Sequence, residues 1–144
     1  MKRGKPMKRT PLNYRSKKRQ DMYVYRRSIV KDMLSSNPVC EACRLWTAFD
    51  LHSGAAVSPV FTSRRTKDVH ELVNRSQGGS ILDMRNLFPV CRPCHNRITT
   101  EPKDAELLGL HLDSWCNTEE GFKEAERLRR EWARGNPSKP YWIE

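Results

Sequence analysis

DVHELVNRSQGG (residues 68–79) and NLFPVCRPCH (residues 86–95) form the stretch that decides the fold of this 144-residue chain. Asp68 to Val73 reads as a strand, Ser76-Gln77-Gly78-Gly79 as the turn that follows it, and Asn86 to Val90 as a second short strand. The paired glycines admit positive φ in that turn. A short helix starts near Pro93 and runs through Ile98. Strand, turn, strand and helix in succession make a small α+β unit.

The second strand runs into a cysteine pair, Cys91-Arg92-Pro93-Cys94, that matches an earlier one, Cys40-Glu41-Ala42-Cys43. A C-x-x-C turn aims two thiolates at one ion, and two such turns complete a tetrahedral four-cysteine zinc site. Arg44 and Arg92 favour the thiolate form. The spacer of 47 residues exceeds the roughly 15–20 of a compact zinc ribbon, so a zinc ion would clamp the ends of a larger insertion. Redox C-x-x-C motifs or plain buried thiols are the competing reading. Cys116, the fifth cysteine, is expected in a core beside Trp115.

Outward from this unit the chain is helical. Met22, Tyr25, Ile29, Val30 and Met33 recur at intervals of mostly three and four, which predicts an amphipathic helix over 21–36. Residues 45–67 mix β-branched and small residues with Gly54 and Pro59, and read as short strands and a loop. Residues 101–144 form a helical extension with a turn or two around Ala105. Its last helix is capped by Thr118 and ends at Gly135 and Pro137. Its Arg127, Arg129, Arg130 and Arg134 read as a solvated face balanced by Glu124, Glu126 and Glu131.

The formal net charge is +10, from 27 Lys or Arg against 17 Asp or Glu. Residues 1–31 hold twelve of the bases and one of the acids, so they carry +11 and the remainder −1. Residues 1–20, with two prolines and no helical period, read as a disordered basic arm. Such an arm neutralises phosphates without reading sequence, and DNA is the expected partner. The alternatives are a solubilising tail or a localisation signal. No apolar run approaches the roughly 20 residues of a membrane span, and no secretory signal follows the basic N-terminus. An intracellular, cytoplasmic protein is expected.

His70 ahead of Arg75-Ser76-Gln77-Gly78-Gly79, Asn86 before the second cysteine pair, and Cys91-x-x-Cys94-His95 resemble the HNH (His-Asn-His) endonucleases of the ββα-metal type. The resemblance covers residues 38–100, and many phage-encoded members look similar, basic arm included. It implies a metal-dependent DNA endonuclease with a structural Zn2+ on Cys40, Cys43, Cys91 and Cys94. It also implies a catalytic Mg2+, Mn2+ or similar ion held by His70 and His95, a water-activating base, and Asn86 bracing the loop. Phosphodiester hydrolysis needs that base and that cation.

The chain departs from the family's pattern at Glu71, where a base histidine is normal. Either His70 and His95 bind metal and Glu71 is the base, or His70 is the base and Asp68 or Glu71 binds metal. Lys2, Arg3, Lys8, Arg9, Lys17, Lys18, Arg19, Arg75 and Arg97 are the expected DNA-backbone contacts. His52 and His111, without partners at ligand spacing, read as packing or surface residues. The rival function is a zinc-braced, non-catalytic DNA-binding or packaging accessory that meets other phage proteins, and Glu71 in the base position would suit it.

Overall fold

The computed structural model describes residue 4 and residues 16–143, and among these residues five α-helices and two β-strands build the fold. In chain order these are α1 (Lys17–Ser36), α2 (Ala42–Ser53), β1 (Asp68–Glu71), β2 (Leu87–Val90), α3 (Arg92–Thr100), α4 (Pro102–Leu107) and α5 (Glu119–Ala133). The class is α+β, with one two-stranded antiparallel sheet among the described residues. None of the described helices is long and apolar enough to cross a membrane.

β1 pairs with β2 in the register Asp68↔Val90, Val69↔Pro89, His70↔Phe88 and Glu71↔Leu87. The segment before β1 ties the sheet to the first cysteine pair. Cys40 N donates to Arg64 O at 2.8 Å, Thr66 N to Pro38 O at 3.0 Å, and Lys67 N to Val90 O at 2.9 Å. The long insertion thus returns alongside its own beginning.

Residues 42–53 correct the sequence reading, since they are helical rather than short strands. Leu45, Trp46 and Phe49 fall on one face, and Leu45 and Trp46 are buried in the main core. Gly54, at φ 75°, ends the helix in the left-handed region that glycine enters freely. Helical packing against α3 and α5 outweighs the local mixture of Thr47, Ala48 and small residues.

α1 begins at Lys17, ahead of the expected 21–36, because the Ser16 side chain accepts from Arg19 N at 3.3 Å and caps the first turn. Lys17, Lys18 and Arg19 are exposed helical residues, not part of an extended arm. The other expected arm contacts, Lys2, Arg3, Lys8 and Arg9, lie outside the described residues. The predicted apolar stripe of α1 is only partly used. Met33 is buried, whereas Tyr25 is 61% exposed.

The extension over 101–144 is no appendage. Leu108, Leu110 and Trp132 enter the same buried cluster as Cys40, Cys43, Cys91, Cys94, Trp46, Val90 and Ile98. A second cluster joins Leu72, Val73, Leu112, Cys116, Phe122 and Ala125, and Phe88 packs against both. Cys116 is buried as expected, but Trp115 beside it is 57% exposed and meets the ring of Trp142 instead.

The two glycines of the turn differ in their reasons. Gly78 takes φ 88°, while a Cβ on Gly79 would fall 1.7 Å from Val73 O. Only Gly78 needs positive φ, which corrects the expectation for the pair. Gly79→Ala should therefore lower the unfolding free energy by at least ~2 kcal/mol, and Gly78→Ala by only ~1 kcal/mol. Urea unfolding of the two variants checks the order, and the reverse order would contradict the close approach at Gly79.

Candidate active-site cleft and metal centre

Two local turns meet at the cysteines. The first cysteine pair leads into α2 and the second opens α3, and all four cysteines are buried and free of disulfides. Their Sγ atoms lie within 4.8 Å of one another, with Cys43 Sγ 3.6 Å from Cys91 Sγ and 3.5 Å from Cys94 Sγ. Zinc–sulfur bonds of about 2.3 Å put tetrahedral sulfurs roughly 3.8 Å apart, so the donor set fits a zinc ion. The thiols already share charge unevenly. Hydrogen bonding with Cys40, then with Cys94, pulls the Cys43 thiol down to about 4, while Cys40 and Cys43 push the Cys94 thiol up. This is the only cluster of three or more such donors among the described residues.

The start of α3 inside the second cysteine pair places His95 beside β1. The rings of His70 and His95 stand 5.4 Å apart. Each has one nitrogen tied to the protein. His70 Nε2 donates to Leu110 O at 2.7 Å, and His95 Nδ1 lies 3.3 Å from Asp68 Oδ2. Asp68 is itself gripped by Arg92, at 2.7 and 3.0 Å. Among the described residues, no hydrogen bond is made to His70 Nδ1 or His95 Nε2. Burial pulls the His70 pKa down to about 4, with the neighbouring His95 and His111 adding to it, so its ring is neutral at pH 7. A neutral imidazole is the form that can bind a cation. The two rings and Asp68 thus stand together at one end of the sheet.

Glu71 faces the same cleft but is already engaged. Its Oε1 lies 3.1 Å from Arg26 Nη2 and 2.9 Å from Arg75 Nη2, and Arg75 also donates to Tyr23 Oη at 2.6 Å. Asn86 is fully buried. Its Oδ1 accepts from Val73 N at 2.7 Å, and its Nδ2 donates to Val73 O at 3.1 Å and Ser80 O at 2.9 Å. One amide thus closes the loop between β1 and β2.

The space around these groups consists of two adjoining depressions of about 440 and 470 Å³, both lined by His70 and Asn74. Arg26, Glu71, Arg75 and His95 line the first, and Lys103 and His111 the second. Comparison of the chain with known families, with curated proteins and with solved structures finds no match.

Arg75 and Arg92 remain exposed, at 46% and 64% of their side chains, each held by a carboxylate. Arg97 is placed elsewhere. It grips Asp50 at 2.7 and 2.9 Å, pairs with Glu101 at 2.6 Å and lies 4.1 Å over the Trp46 ring. Its guanidinium braces α2 against α3, which explains why a phosphate-gripping role does not fit it. His52 is an exposed ring against Trp132, but His111 is buried beside His70 and lines the cleft. The places of Arg26 and the Leu110 carbonyl in the cleft were not legible in the sequence, since 40 or more residues separate Arg26 from Glu71 and Leu110 from His70.

Two outcomes follow from this geometry. Stripping zinc with a chelator should unfold the protein cooperatively, and zinc should restore it, as circular dichroism would show. The second concerns acid. His70 is neutral when folded down to about pH 4 but takes a proton near 6.5 when unfolded, so its stabilisation is complete above pH 6.5 and lost as pH falls toward 4. Without added divalent cations, wild type should lose up to ~3 kcal/mol more than His70→Gln between pH 7 and pH 4 in urea unfolding.

Proposed function

We propose that the protein is a metal-dependent DNA endonuclease of the HNH type, acting in the cleft between β1, α3 and α1. One observation carries the reading. Two histidines from separate elements stand 5.4 Å apart, each with one ring nitrogen anchored and the other unpaired among the described residues, while Asn86 locks the loop between the strands. The cysteine cluster behind α3 fixes where His95 starts. Exposed Lys17, Lys18 and Arg19 on α1, with the basic residues before them, supply the charge that would hold a DNA backbone.

In this reading His70 and His95 would hold the cation through their unanchored ring nitrogens. When bound, it neutralises charge on the phosphate and on the leaving oxygen. Leu110 O keeps the His70 ring turned and in one tautomer, and Asp68 does the same for His95. Glu71 takes the proton from the attacking water as the water oxygen bonds to phosphorus and the bond to the leaving oxygen breaks. The leaving oxygen is protonated from solvent. Arg26 and Arg75 orient the Glu71 carboxylate and lie where a phosphate would enter. Asn86 is a positioning residue, holding residues 73–80 against the sheet.

A second reading, a zinc-braced DNA-binding module without catalysis, draws support from Glu71 itself. Its carboxylate is already engaged by Arg26 and Arg75, as a purely structural ion pair would be. A plasmid-nicking assay with Mg2+, Mn2+ or Ni2+ separates the two. The zinc-loaded protein should nick, and His95→Ala should abolish nicking with zinc content unchanged. Glu71→Gln should lower the rate by about 10²-fold or more. Nicking by Glu71→Gln at the wild-type rate would transfer the base role to His70, and no nicking with any ion would leave the binding module.

A further inference from the structure

The arginines of α5 do not form the uniform solvated face that their spacing predicts. Arg127 pairs with Glu124 and donates to Ser138 Oγ at 2.8 Å, and Arg134 reaches Glu131 at 3.9 Å. Arg129 turns inward instead. Its Nη1 donates to Gly109 O at 2.6 Å, and its guanidinium carbon lies 4.9 Å over the Phe88 ring. Among the described residues it meets no carboxylate at ion-pair distance. Burial pulls its pKa down to about 10, and Glu126 and Glu41, which line the same pocket, offset this only in part. A partly buried guanidinium with no carboxylate in ion-pair contact has donors left to offer an anionic ligand.

The same guanidinium lines a pocket of about 550 Å³ between the start of α2 and the outer face of α5. Arg44 and Arg130, both exposed, line it too, against Glu41 and Glu126, with Phe88 as an apolar wall. None of these three arginines is in an ion pair with the two glutamates. The pocket shares no lining residue with the cleft.

We propose that this pocket is a phosphate-binding site, taking either a phosphate of a nucleic-acid strand or that of a free nucleotide. Guanidinium forks match phosphate oxygens in pairs, and contact with Gly109 O and Phe88 holds the Arg129 fork ready. Arg44 and Arg130 reach in from the rim as the outer donors. The site does not depend on cutting, so it stands or falls apart from the nuclease reading.

The test uses the full-length, zinc-loaded protein without added divalent cation, so that no strand is cut. Binding of 5′-AMP and of a short DNA duplex is measured by titration calorimetry, for wild type and for Arg44→Glu/Arg130→Glu. The pocket predicts that the double variant loses about tenfold or more in affinity for whichever phosphate source binds. For the duplex, the slope of affinity against salt should also flatten by about one phosphate contact or more. Loss of AMP binding identifies a free nucleotide, and loss confined to the duplex identifies the strand backbone. No AMP binding together with unchanged duplex affinity and salt slope overturns the proposal. Zinc content checks that the variant is folded, and Arg130→Ala serves if it is not. Binding through the pocket by a protein that never nicks would end the nuclease reading and leave this site in place.

Discussion

Four buried sulfurs hold together two points of the chain that 47 residues separate, and most of the structure depends on that closure. The chain is only 37% hydrophobic, yet the cysteines sit inside its main buried cluster with Trp46, Val90, Ile98, Leu108 and Trp132. Thiolates in such a place are unfavourable without a cation and strongly favourable with one. The cluster therefore does two tasks. It closes the loop that contains the sheet, and it anchors the start of α3 and with it His95.

The other half of the cleft is set from the C-terminal side. His70 is turned by a carbonyl of residue 110, and that carbonyl is positioned because Leu108, Leu110 and Trp132 pack around the cysteines. Asn86 then spans the loop between the strands. Three separate constraints, from the cysteine cluster, the C-terminal helices and one buried amide, thus converge on a pair of imidazoles. Electrostatics adds a fourth. Arg26 from α1 ties that helix to β1 through Glu71 and donates to Ile81 O at 2.7 Å, where apolar contact is thin.

Much of this was legible in the sequence where the signal is local. The two strands, the α3 start, the cysteine quartet and the Thr118-capped α5 all rest on short-range spacing or on a cap. The cysteine spacing also carried the idea of a long insertion closed by metal. What stayed hidden depends on tertiary pairing. α2 was mistaken for short strands because its helical face shows only when α3 and α5 are there to cover it. Arg97 looked like a phosphate contact because nothing local reveals Asp50 and Trp46 beneath it. Arg129 looked like surface charge because its partners, Gly109 O and Phe88, lie 20 and 41 residues away.

The carbonyls of Gly109 and Leu110 serve consecutive peptide units in opposite causes. One accepts from Arg129 in the α5 pocket, the other from His70 in the cleft. Phe88 lies under the Arg129 guanidinium and opposite His70 in the ladder. A one-residue insertion or deletion between Leu108 and Leu112 would move both acceptors at once and uncouple both side chains. The length of this short segment is therefore more tightly constrained than the identity of its side chains.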